Sequence, residues 1–123
     1  PRVAPPGDRW MIEGLSKLRE LSPAWRTWAQ QAFAVLASHG ISGRLYDVYR
    51  SPQQQEKRFR AGDTRARAWQ SPHQYGLAFD FVVSAGEQSP LQRQLQAAWN
   101  AAGLRTISWD PAHVEYPNWK ALT

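Results

Sequence analysis

The first part of the chain carries apolar residues at helical spacing. Four of them lie three or four positions apart: Met11, Leu15, Leu18 and Leu21. This pattern predicts a helix that Asp8 can cap. The Pro-rich residues 1–7 before it predict an extended lead-in.

A second helix is expected after Ser22-Pro23, because a serine N-cap followed by a first-turn proline is a common helix start. Its predicted apolar stripe ends at Gly40. The stripe consists of Trp25, Trp28, Ala32, Val35 and Leu36. We interpret its tryptophans as core packing, since an apolar stripe at this spacing normally faces the protein interior.

The middle of the chain predicts a strand followed by a short helix. Residues 44–50 read R-L-Y-D-V-Y-R and are rich in aromatic and β-branched residues, which favours a strand. Ser51-Pro52 opens a helix that Gly62 should close. A loop is expected at residues 69–75, which include a second Ser-Pro pair.

A second strand is predicted from Leu77 to Val83, where the faces alternate strictly. Asp80 shares one face with Ala78 and Val82. A carboxylate among such neighbours is costly to bury unless it is paired or binds a metal. Asp80 is therefore a candidate for a paired or metal-binding carboxylate.

The last helix is predicted to start at Ser89-Pro90 and to stop at Gly103. Its expected inward residues are Leu91, Leu95, Ala98, Trp99 and Ala102. After it, residues 104–109 predict a strand and Asp110-Pro111 a turn.

The final strand is expected at residues 113–116, with His113 and Glu115 on one face, and Trp119 should pack the terminus down. This order of elements predicts an α+β fold with a small, mainly antiparallel sheet flanked by helices. A chain of 123 residues is short enough to form one domain, so residues 1–123 are expected to be a single domain.

Composition narrows the chemistry. The chain has no cysteine, which excludes disulfides, thiolate metal ligands and a cysteine nucleophile. No apolar run approaches the length of a membrane span, and no signal peptide is visible. The net charge of +5 favours anionic partners. The basic residues Lys57, Arg58, Arg60, Arg65 and Arg67 form either a solvated face or a surface that attracts an acidic polymer.

Two histidines and Asp80 are the candidate metal ligands. His73 precedes Asp80 by seven positions and His113 lies far downstream. Each has an ordinary alternative, namely a hydrogen-bonded histidine or an Asp–Arg pair. Nitrogen and oxygen ligands in this number suit zinc, although they do not exclude other divalent ions.

Peptide hydrolysis at such a metal also needs a base. Asp110 and Glu115 are candidates because both flank His113. Asp110 can instead be a turn residue, and Glu115 can instead orient an imidazole. Arg50 can stabilise an oxyanion or hold a substrate carboxylate, or it can form a surface ion pair.

Three segments resemble one family. S-P-H-Q-Y-G-L-A-F-D, residues 71–80, resembles the S-x-H-x-x-G-x-A-x-D motif of the D-alanyl-D-alanine carboxypeptidase and L-alanyl-D-glutamate endopeptidase family. D-P-A-H-V-E, residues 110–115, resembles its D-x-x-H-x-E ending, and V-Y-R-S-P-Q-Q-Q resembles its strand-to-helix Arg-Ser segment. The similarity runs from about Tyr46 to Tyr116. These relatives are zinc peptidases that share a fold with the hedgehog signalling domain.

The resemblance implies a role for each matching residue. His73, Asp80 and His113 would bind Zn²⁺. Asp110 would be the catalytic base, as in the phage-endolysin branch, and Arg50 would stabilise the transition state.

Ser71 would bind substrate, and Glu115 would support substrate binding near the site. The chain before Tyr46 carries no motif of this family, and no separate wall-binding domain is visible.

The resulting expectation is a zinc peptidase that cuts the stem peptide of peptidoglycan, with the L-alanyl-D-glutamate bond favoured. The alternatives are a D,D-carboxypeptidase or dipeptidase, a non-catalytic zinc-stabilised binding module, and a basic nucleic-acid binder. We expect a monomer without specific nucleic-acid binding. It would act in the bacterial cell wall, and a phage enzyme without a signal would wait in the host cytoplasm for a membrane pore.

Overall fold

A five-stranded sheet organises the structure, a computed structural model that describes residues 12–122. The strands are β1 (Ile12–Glu13), β2 (Gly43–Leu45), β3 (Ala78–Val83), β4 (Arg105–Ile107) and β5 (Asp110–Glu115). Their order across the sheet is β1-β2-β3-β5-β4. The β1–β2 pair is parallel and every other pair is antiparallel, so the predicted mainly antiparallel α+β fold is confirmed.

Three α-helices flank the sheet, and each begins with a Ser-Pro pair. They are α1 (Pro23–Ser38), α2 (Pro52–Arg60) and α3 (Pro90–Ala101). The serine hydroxyls of Ser51 and Ser89 each accept a backbone N–H from the first turn, which satisfies a donor that the helix itself cannot pair. Short 3-10 helices occur at Leu15–Glu20, Pro72–Tyr75 and Trp119–Leu122.

The core lies between one face of β3 and the helices α1 and α3. Phe33 of α1 packs edge-on against Phe79 and Phe81, with ring centroids 5.3 and 5.0 Å apart. Trp25 stacks on Phe79 at 5.3 Å, and Trp99 of α3 meets the same ring edge-on. This packing confirms the predicted alternation of β3 and leaves Asp80 on the opposite face.

The first predicted helix is wrong over its described part. Met11 and the residues before it, including the predicted cap Asp8 and the lead-in 1–7, lie outside the described residues. Ile12–Glu13 is a strand beside β2, and Leu15–Glu20 is a 3-10 helix. Gly14 separates them with a φ of 81°, a conformation that a continuous α-helix cannot accommodate.

The inward faces of α1 and α3 also differ from the prediction. Val35 is 56% exposed, while Ala29 and Phe33 are buried. On α3 the small residues Ala98 and Ala102 are exposed.

Two glutamines of α3, Gln92 and Gln96, are buried in their place. The Gln92 side chain accepts the Val83 N–H at 2.9 Å and donates to the carbonyls of Phe81 and Pro111, both at 2.9 Å. A polar side chain that satisfies several backbone groups can replace an apolar one in the interior.

The two strand boundaries nearest the candidate site differ from the prediction as well. Strand β2 ends at Leu45, and the chain from Tyr46 onwards bends around β3 while keeping hydrogen bonds to the Asp80 backbone at 2.8 and 2.9 Å. Strand β5 begins at Asp110, so Asp110-Pro111 is not the turn. The register shift between Thr106 and Ile107 accommodates Pro111, which has no N–H to donate to β4.

We predict that Gln92→Ala lowers the free energy of unfolding by about 2–4 kcal/mol, because it leaves buried backbone groups of two strands without their partner. Urea denaturation followed by circular dichroism measures the change. Gln94→Ala on the exposed side of the same helix is the matched control and should change stability little. Equal effects of the two substitutions would contradict this account of α3.

Candidate metal centre

Neighbouring elements bring His73, Asp80 and His113 together. Asp80 on β3 is directly opposite His113 on β5 in the antiparallel register. His73 lies in the 3-10 helix Pro72–Tyr75 that leads into β3. Ser71 caps this short helix by accepting the His73 backbone N–H, and Gln74 returns a bond to the Ser71 N–H, so the position of His73 is fixed locally.

The three side chains converge on a small volume. One potential ligand atom from each lies within 4.8 Å of the others. Asp80 Oδ1 is 3.5 Å from His73 Nε2 and 3.3 Å from His113 Nδ1. Their exposed fractions are 2%, 4% and 7% for His73, Asp80 and His113, so bulk water does not separate the groups.

Oxygen acceptors orient both imidazoles. His73 Nδ1 lies 2.9 Å from the carbonyl oxygen of Val48, which can only accept a hydrogen bond, so Nδ1 carries the proton. His113 Nε2 is held in the same way by Glu115 Oε1 at 2.8 Å. The other nitrogen of each ring therefore faces Asp80 and can offer a lone pair to a metal ion whenever it carries no proton. This is the arrangement of metal-binding histidines supported by an outer acceptor.

Two lone pairs and a carboxylate that face one another repel unless a cation lies between them. In the protein without a metal that cation is a proton on His113. Burial opposes its charge, but hydrogen bonds to Asp80 and Glu115 outweigh burial and raise the pKa of His113 to about 9.

Burial also opposes ionisation of the two carboxylates. Even so, His113 and His73 hold the pKa of Asp80 well below its usual range, and His113 with Arg105 lowers the pKa of Glu115. The donor set therefore fits a divalent ion that takes nitrogen and oxygen ligands.

Arg50 is buried beside this centre and is not a surface residue. Its Nη2 donates to Asp47 Oδ2 at 2.7 Å and lies 4.0 Å from Asp80 Oδ2. Its Nη1 donates to Gln55 Oε1 at 2.8 Å. Its Nε is buried and has no hydrogen-bond partner among the residues that the structure describes. The guanidinium is thus fixed with its Nε–H unused. The alternative of an ion pair is present in the contact with Asp47, but this pair is partly buried and does not lie on the open surface.

Two buried glutamines form hydrogen bonds that fix the surroundings of Arg50. The sequence pattern did not identify either of them. Gln55 is fully buried on the otherwise polar helix α2, where it also donates to the Ala66 carbonyl at 2.7 Å. Gln74 donates to Gln55 and to the Arg50 carbonyl, both at 3.2 Å. Neither stands out in the sequence, because Gln55 follows two exposed glutamines and no apolar periodicity marks its face.

The remaining predicted site residues lie close by. Ser71 is buried and its hydroxyl already accepts the His73 N–H. Glu115 is buried between His113 and Arg105, whose Nε is 3.7 Å away, so it contacts a predicted ligand directly. Asp110 is the first residue of β5, three positions before His113, and is partly exposed. The substrate and base roles of these residues stay predictions.

Part of the predicted basic face forms ion pairs. Arg58 Nη2 lies 3.2 Å from Asp47 Oδ2, and Arg60 and Arg67 both pair with Glu56. A cavity of about 590 Å³ borders this region and is lined by Asp47, Val48 and Arg50 among others. None of the three candidate ligands lines it, so this cavity adjoins the centre without containing it.

No protein-family model matches the chain, and no curated protein matches it in sequence. Among solved structures, the fold of this chain is similar to that of a variant of the vancomycin-resistance D,D-pentapeptidase VanY from a VanB-type resistance cassette, in complex with Zn(II). It is 17% identical, with a TM-score of 0.57 over 82% of this chain and 75% of that one. This similarity confirms the DD-peptidase-like fold class.

No helix within residues 12–122 is long and apolar enough to cross a membrane.

We predict that zinc affinity rises about tenfold per pH unit up to roughly pH 9, because one proton must leave His113 before the ion can bind. Below its raised pKa His113 is protonated, so binding releases a proton. Above that pKa no proton is displaced and the slope disappears. Isothermal titration calorimetry in buffers of different ionisation enthalpy counts the released proton. Affinity that is independent of pH between about 6.5 and 8.5 would contradict this description of the centre.

Proposed function

We propose that this protein is a zinc-dependent peptidase that hydrolyses the stem peptide of bacterial peptidoglycan. The observation that carries the proposal is the buried His73–Asp80–His113 group, whose imidazoles are already oriented for a metal ion. The fold supports it, because the zinc-bound VanY structure, described as a D,D-pentapeptidase, has the same architecture. The resemblance of residues 71–80 and 110–115 to a zinc peptidase family adds sequence support.

The chain supplies the metal ligands and the proton transfers. His73 Nε2, Asp80 Oδ1 and His113 Nδ1 would hold the zinc ion. When bound, zinc acts as a Lewis acid for a carbonyl oxygen and lowers the pKa of water. The Asp110 carboxylate accepts a proton from the attacking water and delivers it to the leaving amine nitrogen, so that one carboxylate serves as base and then as acid.

Arg50 supplies positive charge where the scissile carbonyl oxygen becomes negative. Its guanidinium is held by Asp47 and Gln55, and it needs little reorganisation during the reaction. Its distance of 4.0 Å from Asp80 Oδ2 places it beside the proposed ligands. Ser71 caps the short helix that carries His73. We propose that Ser71 also contacts the substrate.

Two bonds of the stem peptide are candidates. The Asp110 form of the motif resembles the endolysin branch and favours the L-alanyl-D-glutamate bond. The similarity to VanY, described as a D,D-pentapeptidase, favours removal of a terminal D-alanine. The substrate in both cases is a peptide of the cell wall, and we propose that a monomer acts there. A phage origin and release through a pore stay predictions from the resemblance alone.

The test measures turbidity loss of purified peptidoglycan with the protein as isolated, after chelation and after zinc is restored. We expect zinc-dependent clearing and a loss of at least about 100-fold in Asp110→Asn and His113→Ala, because these changes remove the base or a ligand. His39→Ala, which replaces the exposed histidine at the end of α1, is the matched control. Muropeptide masses at the end of the digestion distinguish the two candidate bonds.

Unchanged activity of Asp110→Asn or His113→Ala would show that the assigned mechanism is wrong. One bound zinc per chain without cleavage of any stem peptide would instead favour the zinc-stabilised binding module. Strong, salt-dependent affinity for DNA that is insensitive to chelation would favour the nucleic-acid binder.

A further inference from the structure

A row of three aromatic rings, one exposed, one partly exposed and one buried, lies next to the candidate metal centre. We define the aromatic row as Trp69, Tyr75 and Trp119. The ring centroids of Trp69 and Tyr75 are 5.7 Å apart, and those of Tyr75 and Trp119 are 5.8 Å apart. Trp69 is 56% exposed and Tyr75 is partly exposed, whereas Trp119 is only 7% exposed, so a molecule in the adjoining groove would contact mainly the Trp69 ring.

The exposed Trp69 also has an unusual backbone conformation. Trp69 has a φ of 66°, a left-handed conformation that bulky residues rarely adopt. The Tyr75 hydroxyl donates to the Trp69 carbonyl at 3.0 Å and so holds the loop in this conformation. Strained residues of this kind cluster at ligand-binding positions, because the surrounding structure must maintain them.

The middle ring and one end of the row are connected to the candidate centre. Tyr75 belongs to the same 3-10 helix as His73. Trp119 lies four residues beyond Glu115, the carboxylate at the end of β5 that also orients His113. A molecule bound to the aromatic row would therefore lie close to the residues that are proposed to hold the metal ion.

The groove beside the row is cationic. A cavity of about 450 Å³ is lined by Arg65, Ala66, Trp69, Gln70, Trp119 and Lys120. No carboxylate is among these lining residues, and Lys120 Nζ lies 5.8 Å from the centre of the Trp119 ring. The groove therefore suits a ligand that combines apolar faces with acidic groups.

We propose that the aromatic row is a subsite for the glycan strand of peptidoglycan. The inference rests on the proposed peptidase function. A sugar ring has a flat face of C–H bonds, whose partial positive charge is attracted to the negative face of an aromatic ring. Carboxylates of the attached stem peptides would pair with Arg65 and Lys120. An open groove also allows a polymer to continue in both directions, whereas a closed pocket would accept only a chain end.

The test separates sugar binding from peptide cleavage. Trp69→Asn removes the indole, and asparagine tolerates a positive φ, so the loop conformation is retained. We expect about a tenfold rise in the apparent KM for intact peptidoglycan and a similar loss of retention on sacculi measured in an Asp110→Asn background. Hydrolysis of a sugar-free stem peptide should not change. Trp69→Phe keeps an aromatic ring, so its apparent KM and its retention on sacculi should lie between those of the parent protein and those of Trp69→Asn.

Trp28→Ala is the matched control, since Trp28 is a partly exposed indole on α1 and should leave sacculus retention unchanged. Saturation-transfer NMR with the peptide-free disaccharide of N-acetylglucosamine and N-acetylmuramic acid should show contact with the parent protein and none with Trp69→Asn. Equal retention of Trp69→Asn and parent, or no transfer to the disaccharide, would overturn the inference. If Trp69→Asn lost affinity for DNA and for sacculi to the same extent, the inference would be overturned and the groove would be a general surface for polyanions.

The two proposals fail in different ways. If the parent binds the disaccharide through Trp69 but cleaves no stem peptide, the glycan subsite stands and the peptidase function is wrong. If the parent cleaves the sugar-free peptide and Trp69→Asn is retained on sacculi as well as the parent is, the peptidase function stands and the glycan subsite is wrong.

Discussion

The antiparallel pairing of β3 with β5 is the constraint on which the candidate centre depends. Its register puts Asp80 opposite His113 and, one residue along, Phe79 opposite Val114. The apolar pair faces the core under α1 and α3, so the other face of the same two strands must carry the charged pair. A carboxylate buried in this way is tolerated only with cationic partners. Two imidazoles and the Arg50 guanidinium supply that surrounding, and a metal ion would complete it.

The segment that follows β2 gives the centre its rigidity. Its backbone pairs with Asp80, its Val48 carbonyl sets the tautomer of His73, and its Asp47 carboxylate holds Arg50. Gln55 and Gln74 complete the buried polar network from α2 and from the short helix of His73. Most of these groups are paired with one another, and the Arg50 Nε–H is an exception. Networks that are largely paired in this way favour one arrangement of side chains, so a substitution within this network should disturb the positions of the proposed metal ligands.

The sequence was informative where local chemistry decides the structure. Ser-Pro pairs predicted the starts of all three α-helices, and strict alternation predicted β3 and the unusual position of Asp80. It failed where tertiary contacts override a pattern. Ile12–Glu13 pairs with β2 in place of extending a helix, and Gln92 is buried because it bonds to strand backbones that are distant in sequence. The contact between His113 and Asp80 depends on the register of β3 against β5, which the sequence analysis did not predict and the fold displays.

The central claim is that His73, Asp80 and His113 hold one metal ion. X-ray absorption at the zinc edge of the protein loaded with one equivalent of zinc tests it most directly. We expect a first shell of nitrogen and oxygen at about 2.0–2.1 Å, with the outer-shell signature of two imidazoles. In His113→Ala one imidazole contribution should disappear. A shell without imidazole, or a spectrum that His113→Ala leaves unchanged, would contradict the account.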